Sequence, residues 1–276
     1  MSHKTFLITG VSSGFGRAFA QAALAAGHTV IGTLRRADAV ADFERLHAHN
    51  AHGVVLDVSD FAAIEPTVSG LLARHGAIDV LVNNAGYGHE GTLEESPLSE
   101  LQRQFDVNVY GAVAMIKAVL PGMRERRSGH IINVTSMGGM MTLPGISYYH
   151  GSKFALEGIS ESLAQEVEPL GVKVTAVAPG SFRTDWAGRS MVRTHRSIKD
   201  YDALFDPIRQ TREARSGHQP GDPDKAAQAL LALVNADKPP RHLLLGADAL
   251  QLVRAKLKAL QAEIDEWESL SASTGY

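Results

Sequence analysis

Short runs of apolar residues recur along this chain, separated by longer stretches whose apolar positions return every three or four residues. The short runs are Thr5–Thr9, Thr29–Leu34, Gly53–Leu56, Val80–Asn83, His130–Thr135, Lys173–Ala178 and His242–Leu245. Each is too short for a helix, and together they predict about seven strands. Between most of them lie segments of helical length: Gly14–Ala26, Phe61–Arg74, Leu98–Arg126 and Tyr148–Pro169. Strands alternating with helices imply βαβ units, hence an α/β fold with a doubly wound parallel sheet and helices on both faces. Gly27 and Gly171 follow helical patterns, where a left-handed terminating residue is wanted. No composition break marks a boundary and no repeat is present, so a single domain is expected over residues 1–276.

Two segments depart from the alternation. From Ser181 to Asp222 charges are mixed, apolar residues are scattered (Trp186, Met191, Leu204, Phe205, Ile208) and no strand is evident. Long irregular stretches inside compact domains are usually lids or binding loops, so a substrate lid is expected at about 181–222. Asp222-Pro223 then opens another helix, with Asp as cap and Pro at the first helical position. The carboxy-terminal stretch, about 248–269, is a charged amphipathic helix expected to lie in solvent, with subunit contact as the lesser reading.

Composition excludes more than it selects. Hydrophobic residues make up 44% and charged residues 21%, which is ordinary for a globular core. A net charge of −3 lacks the basic footprint of a nucleic-acid surface. The absence of cysteine excludes disulfides, thiolate metal sites and a cysteine nucleophile. His47, His49 and His52 cluster near a helix end without a supporting carboxylate set, so surface histidines and no metal site are expected. The amino-terminal apolar run is too short for a signal-peptide core, and the uncharged stretch Ser128–Ser152 is interrupted by glycines and Pro144. No membrane partner and a cytoplasmic location are expected.

Chemistry first surfaces in Thr9-Gly10-Val11-Ser12-Ser13-Gly14-Phe15-Gly16, between the first strand and the first helix. Glycines there let backbone approach a pyrophosphate, and the free N–H groups of the helix start favour its charge. Gly10 and Gly14 are four apart and Gly14 and Gly16 two apart, unlike the usual dinucleotide fingerprint, whose first two glycines are two apart. With Asn83-Asn84-Ala85-Gly86, Asn108, Ser136, Tyr149-His150-Gly151-Ser152-Lys153 and Pro179-Gly180 following in order, the chain resembles the classical short-chain dehydrogenase/reductase family from Thr5 to Thr184. The resemblance implies a Rossmann-type sheet. It implies nicotinamide-cofactor contacts from Gly10, Ser12, Ser13, Gly14, Phe15, Gly16, Arg35, Asp57, Val58, Asn84, Ala85, Gly86, Tyr149, Lys153, Pro179, Gly180, Phe182 and Thr184. The cofactor turn and Arg35-Arg36 look most like the branch of 17β-hydroxysteroid dehydrogenase-type enzymes.

The second strand ends Leu34-Arg35-Arg36. In this fold an acid at that edge accepts from the ribose of NAD, whereas an arginine accommodates the 2′-phosphate of NADP. By resemblance Leu34 stands at the acid position and Arg35 at the NADP-type position, so NADP(H) is expected over NAD(H). Hydride transfer leaves alkoxide charge that needs a proton, which the protein supplies. A phenol is a poor acid/base near neutrality, and a neighbouring ammonium is expected to lower its pKa. Tyr149 and Lys153 are four apart and share a helix face, whereas Tyr148 meets Ser152 at that spacing and is expected to pack or line the pocket. In the family the lysine also binds the nicotinamide ribose. The resemblance adds Ser136 as hydrogen-bond donor to the substrate oxygen, and Asn108 as holder of a water that links the lysine to solvent.

The stretch Met137–Ser147 is apolar and adaptable, which points to a hydrophobic substrate. The expected activity is interconversion of a carbonyl and an alcohol, reduction being the favoured direction. A non-catalytic NADP(H) sensor is the alternative, but its mark, loss of Tyr149 or Lys153, is absent. An epimerase or dehydratase would need a larger carboxy-terminal domain. Apolar residues beyond one stripe on Leu98–Arg126 and Tyr148–Pro169 (Val107, Val109, Val113, Met115, Ile116; Phe154, Leu156, Ile159, Leu163) agree with the helices that form the family's dimer contact, so a homodimer or homotetramer is expected.

Overall fold

A computed structural model describes residues 2–276. The strands are β1 (Thr5–Ile8), β2 (Thr29–Leu34), β3 (Ala51–Val55), β4 (Val80–Asn83), β5 (Gly88–Glu90), β6 (Gly129–Val134), β7 (Val172–Pro179), β8 (Met191–Arg193) and β9 (His242–Leu245). The α-helices are α1 (Gly14–Ala25), α2 (Asp38–Glu44), α3 (Phe61–His75), α4 (Leu98–Phe105), α5 (Gly111–Arg126), α6 (Ser147–Val167), α7 (Asp202–Ala214), α8 (Pro223–Asn235) and α9 (Ala247–Ala272). All seven expected strands are present, with ends shifted by no more than two residues.

Seven strands form one parallel sheet in the order β3-β2-β1-β4-β6-β7-β9. Its inner strands are buried on both faces, which is why they read as continuous apolar runs instead of alternating ones. Phe6, Phe19, Val30, Leu230 and Leu233 pack one face beneath α1 and α8. Leu7, Leu81, Ile131, Met115 and Val119 pack the other beneath α3, α5 and α6. Gly27 (φ 82°) and Gly171 (φ 74°) take the left-handed conformation expected after the helices they follow. Asp222 caps α8, its carboxylate accepting from Asp224 N at 2.9 Å. Strand order reverses between β1 and β4, leaving a crevice at their carboxyl ends, the usual ligand position in such sheets.

Two sequence expectations need correction, and one helix was not anticipated. The segment Leu98–Arg126 is not one continuous α-helix, because a π-helical turn at Asp106–Tyr110 separates α4 from α5. Gly111 closes that turn against the Val58 carbonyl, where a Cβ would stand 2.7 Å away. The expected irregular stretch at 181–222 contains β8 and α7, and β8 pairs in parallel with β5, Gly88 opposite Met191 and Glu90 opposite Arg193. Helix α2 had no sequence expectation; it is seven residues long and buries Phe43 alone. Among the described residues no helix is long and apolar enough to cross a membrane.

Candidate active site

Above the switch point lies a continuous cavity of about 1410 Å³. Its floor is the turn after β1. Gly10 has φ 72° and its N–H donates to Thr33 Oγ1 at 3.1 Å. Thr9 Oγ1 accepts from the N–H groups of Asn84 and Ala85, both at 2.9 Å, tying that turn to the loop after β4. The Asn84 amide donates back to the carbonyls of Thr9 (2.9 Å) and Gly10 (3.1 Å). Gly16 fits beneath this lock, since a Cβ would stand 2.3 Å from the Gly10 carbonyl.

Every residue expected to hold the cofactor lines the cavity except Gly16, which supports the turn from below. Leu34, Arg35 and Arg36 form one end with Asp57 and Val58. Arg36 is engaged by Asp38, Nε to Oδ1 at 2.9 Å, whereas Arg35 is exposed and has no ion pair among the described residues. The glycine cradle, its helix N-terminus and the free guanidinium fit a phosphorylated dinucleotide.

Tyr149, Lys153 and Ser136 meet at the other end of the cavity. Helix α6 carries the first two, and the end of β6 delivers the third. Lys153 is buried, its Nζ donating to the Val134 carbonyl at 2.9 Å and lying 5.7 Å from the centre of the Tyr149 ring. Burial brings its pKa down to about 8, with the Glu157 carboxylate acting in the opposite direction. Burial pushes the Tyr149 phenol up to about 12, with only a hydrogen bond from Ser136 opposing it. In this geometry burial, and not Lys153, sets the direction in which the phenol moves. The ammonium is turned toward a backbone carbonyl, and loss of solvent is the largest influence on the phenol.

Asn108 does not line the cavity. It sits in the π-helical turn behind it, Oδ1 accepting from Tyr87 N and Nδ2 donating to Tyr87 O, both at 3.1 Å, and to Ser152 Oγ at 3.1 Å. The amide is thereby consumed in fixing the Tyr87 loop to α6. Tyr148 packs outside the cavity, its hydroxyl donating to Ser96 O at 2.8 Å and its ring stacked on His89.

Sequence reasoning assigns Glu157 and His150 no site role, and places Trp186 only among the apolar residues of the lid. Glu157 is buried four residues after Lys153, held by Thr135 Oγ1 and by His242 Nδ1 at 2.8 Å. The lysine-to-glutamate spacing was the available signal. His150 accepts from Leu143 N at 2.8 Å and hydrogen-bonds Gly138 O at 2.6 Å, shaping the loop between Ser136 and Tyr149. Trp186 tilts over Tyr149 at 5.0 Å between ring centres. Around them Met137, Met141, Leu143, Ile146, Val192 and Ile208 supply apolar wall; Met140 does not reach it. Arg189, Arg212 and Arg215 also line the cavity, Arg189 paired with Asp185 and Arg212 with Glu90.

Comparison with known proteins agrees with this architecture. Residues 4–193 match the short chain dehydrogenase family model. An oxidoreductase of Botryotinia fuckeliana is 36% identical, covering 98% of this chain and 99% of that relative. A 3-ketodihydrosphingosine reductase of Bacteroides thetaiotaomicron is 37% identical over 94% of this chain and 93% of its own. The solved short-chain dehydrogenase of Streptomyces avermitilis superposes with a TM-score of 0.93 at 43% identity, each chain covered completely. A Burkholderia phymatum relative solved with NAD has a TM-score of 0.82, 25% identity and 95% coverage of both chains. A metagenomic relative solved with NADP has a TM-score of 0.70 and 27% identity, covering 89% of this chain and 97% of its own. These likenesses specify no hydroxysteroid branch. By its sheet, its glycine turn and these matches, the chain belongs to the short-chain dehydrogenase family of oxidoreductases.

Proposed function

We propose that this protein is an NADP(H)-dependent reductase of a hydrophobic aldehyde or ketone. One observation carries the reading: a single cavity joins the glycine turn and Arg35 at one end to Ser136, Tyr149 and Lys153 at the other. Leu34 leaves the ribose edge without a carboxylate, and Arg35 has donors free for a 2′-phosphate, which supports NADP over NAD. Bound NADPH supplies the hydride. Gly10 and Ser12–Phe15 would hold the pyrophosphate, Asp57 and Val58 would flank the adenine, Pro179, Gly180 and Thr184 would meet the carboxamide, and Lys153 would keep N–H donors for the nicotinamide ribose.

The protein's own part is the proton and the orientation. Ser136 donates to the carbonyl oxygen and polarises it. Tyr149, protonated throughout the physiological range, gives its proton to that oxygen as alkoxide charge develops. This protonation state supports reduction as the working direction. Lys153 stabilises the resulting phenolate, with Glu157 sustaining the ammonium. Asn108 is a positioning residue that fixes Tyr87 and Ser152 beside the couple. The apolar wall suits an apolar substrate body, and the Bacteroides thetaiotaomicron relative is named for 3-ketodihydrosphingosine. Residues 181–222 serve as the lid. A panel of aldehydes and ketones with NADPH and NADH, followed by reduced-nicotinamide absorbance, tests the proposal. Turnover of apolar carbonyls with NADPH is the expected result, and no turnover with either cofactor would reject it.

A further inference from the structure

Helix α9 is anchored only at its start. Ala249 and Val253 are buried, whereas every residue from Arg254 onward is exposed. The free part, 254–272, is about five helical turns without a protein surface against it. Helices of such length gain most of their stability from packing an apolar face, so a solitary one carrying large apolar side chains is an incomplete structure. Leu257, Leu260, Ile264 and Trp267 are 53%, 40%, 55% and 55% exposed.

Their spacing states what kind of partner is missing. Leu250, Val253, Leu257, Leu260, Ile264 and Trp267 follow one another at intervals of three, four, three, four and three. That is the 3.5-residue period of a two-helix seam, narrower than the stripe of a helix packed on a globular body. Charge along the helix states the direction. Arg254, Lys256 and Lys258 occupy its first half, and Glu263, Asp265, Glu266 and Glu268 its second. Parallel pairing with the same helix would set like against like. Antiparallel pairing sets the basic half of each copy against the acidic half of the other.

We propose that α9 pairs antiparallel with α9 of a second copy of this chain through Leu257, Leu260, Ile264 and Trp267. The arrangement is an isologous two-fold contact, self-complementary by construction. With Leu257 opposite Trp267 and Leu260 opposite Ile264 of the second copy, Arg254 falls beside Glu268, and Gln261 beside its own equivalent. Glu263 approaches its own copy only at the solvated rim. A lipid surface is the rival occupant, but the acidic half flanking Trp267 is repelled by anionic headgroups.

Sedimentation velocity of the full chain and of Leu257→Asp/Ile264→Asp tests the pairing. The variant should have half the wild-type mass at the same micromolar concentration, with turnover per subunit kept within about twofold; equal masses overturn the proposal. Because the chain has no cysteine, orientation can be read by cross-linking. A mixture of Arg254→Cys and Glu268→Cys proteins should form the mixed disulfide dimer under mild oxidation. Dimers of each variant with itself, and none mixed, overturn the antiparallel arrangement. Flotation with phosphatidylglycerol vesicles that is lost in the double variant, its mass unchanged, would assign the seam to lipid and reject the pairing.

Discussion

Lys153 carries an ammonium into a buried site, and its pKa falls to about 8, while the Tyr149 phenol beside it rises to about 12. Across the working range the phenol is therefore a ready proton donor and the lysine is the group that titrates. In the reductive direction kcat/KM should fall as pH rises through about 8, because the ammonium that steadies phenolate is lost, and no second limb should come from the phenol. A profile flat to pH 10 would contradict this. Stability moves the other way. The fold disfavours charged Lys153, a cost fully present below about 8 that fades as pH climbs toward the ordinary value of 10.5, since the unfolded chain holds its proton longer there. Tyr149→Phe should lower turnover on the order of 10²–10⁴-fold while NADPH still binds. Tyr148→Phe should keep most activity, its hydroxyl serving only Ser96. Arg35→Asp should weaken NADPH selectively, leaving NADH affinity nearly unchanged; an equal loss for both cofactors would remove Arg35 from the phosphate site.

At the scale of elements, the segment 181–222 is held by two acids on the β5 side. Glu90, fully buried, pairs with Arg209 at 3.0 Å, with Arg193 at 3.4 Å and with Arg212. Glu95 accepts from Arg196 Nε at 2.9 Å and from Ile198 N at 2.8 Å, and it sits at about 2, chiefly through its backbone hydrogen bond from Ser197. Removing one partner of a buried ion pair costs about 3–5 kcal/mol. Glu90→Ala should accordingly speed hydrogen exchange across residues 191–212 and raise KM while the sheet stays protected. NADPH should slow exchange in the same segment of the wild type. This part of the molecule was poorly legible in the sequence, for a physical reason. The contacts that order it join residues 88–95 to residues 191–212, over one hundred positions apart, through three-residue strands too short to show alternation. The βαβ core was legible because its pattern is local and doubly buried, as in Thr29–Leu34. The site was legible where spacing on one helix decides the geometry, as for Tyr149 and Lys153. It was less legible where burial competes with charge, as around the phenol, and where a helix bulges, as at Asn108.

The whole molecule leaves a second apolar face uncovered, on the α5–α6 pair. Phe154 and Tyr110 are 42% and 54% exposed, and Phe61 meets Tyr110 edge-on at 6.4 Å to extend the patch. Val107, Val113, Ile159 and Leu163 are only half-buried beside them, whereas Val109, Met115, Ile116 and Leu156 already belong to the core. Contiguous apolar surface of this kind marks an association site, and its position on two neighbouring helices suits a two-fold contact between subunits. A homodimer through this face is the expected assembly, with α9 able to join two such dimers into a tetramer. Tyr110→Glu/Phe154→Glu should halve the sedimenting mass by placing four carboxylates in each two-fold contact. These positions lie outside the cavity lining, so any loss of turnover in that variant would report on how the contact braces α6 and the Tyr149–Lys153 couple it carries. Two independent halvings, one from this variant and one from disruption of the α9 seam, would establish both contacts. A wild-type chain that sediments only as a monomer at micromolar concentration would refute the assembly altogether.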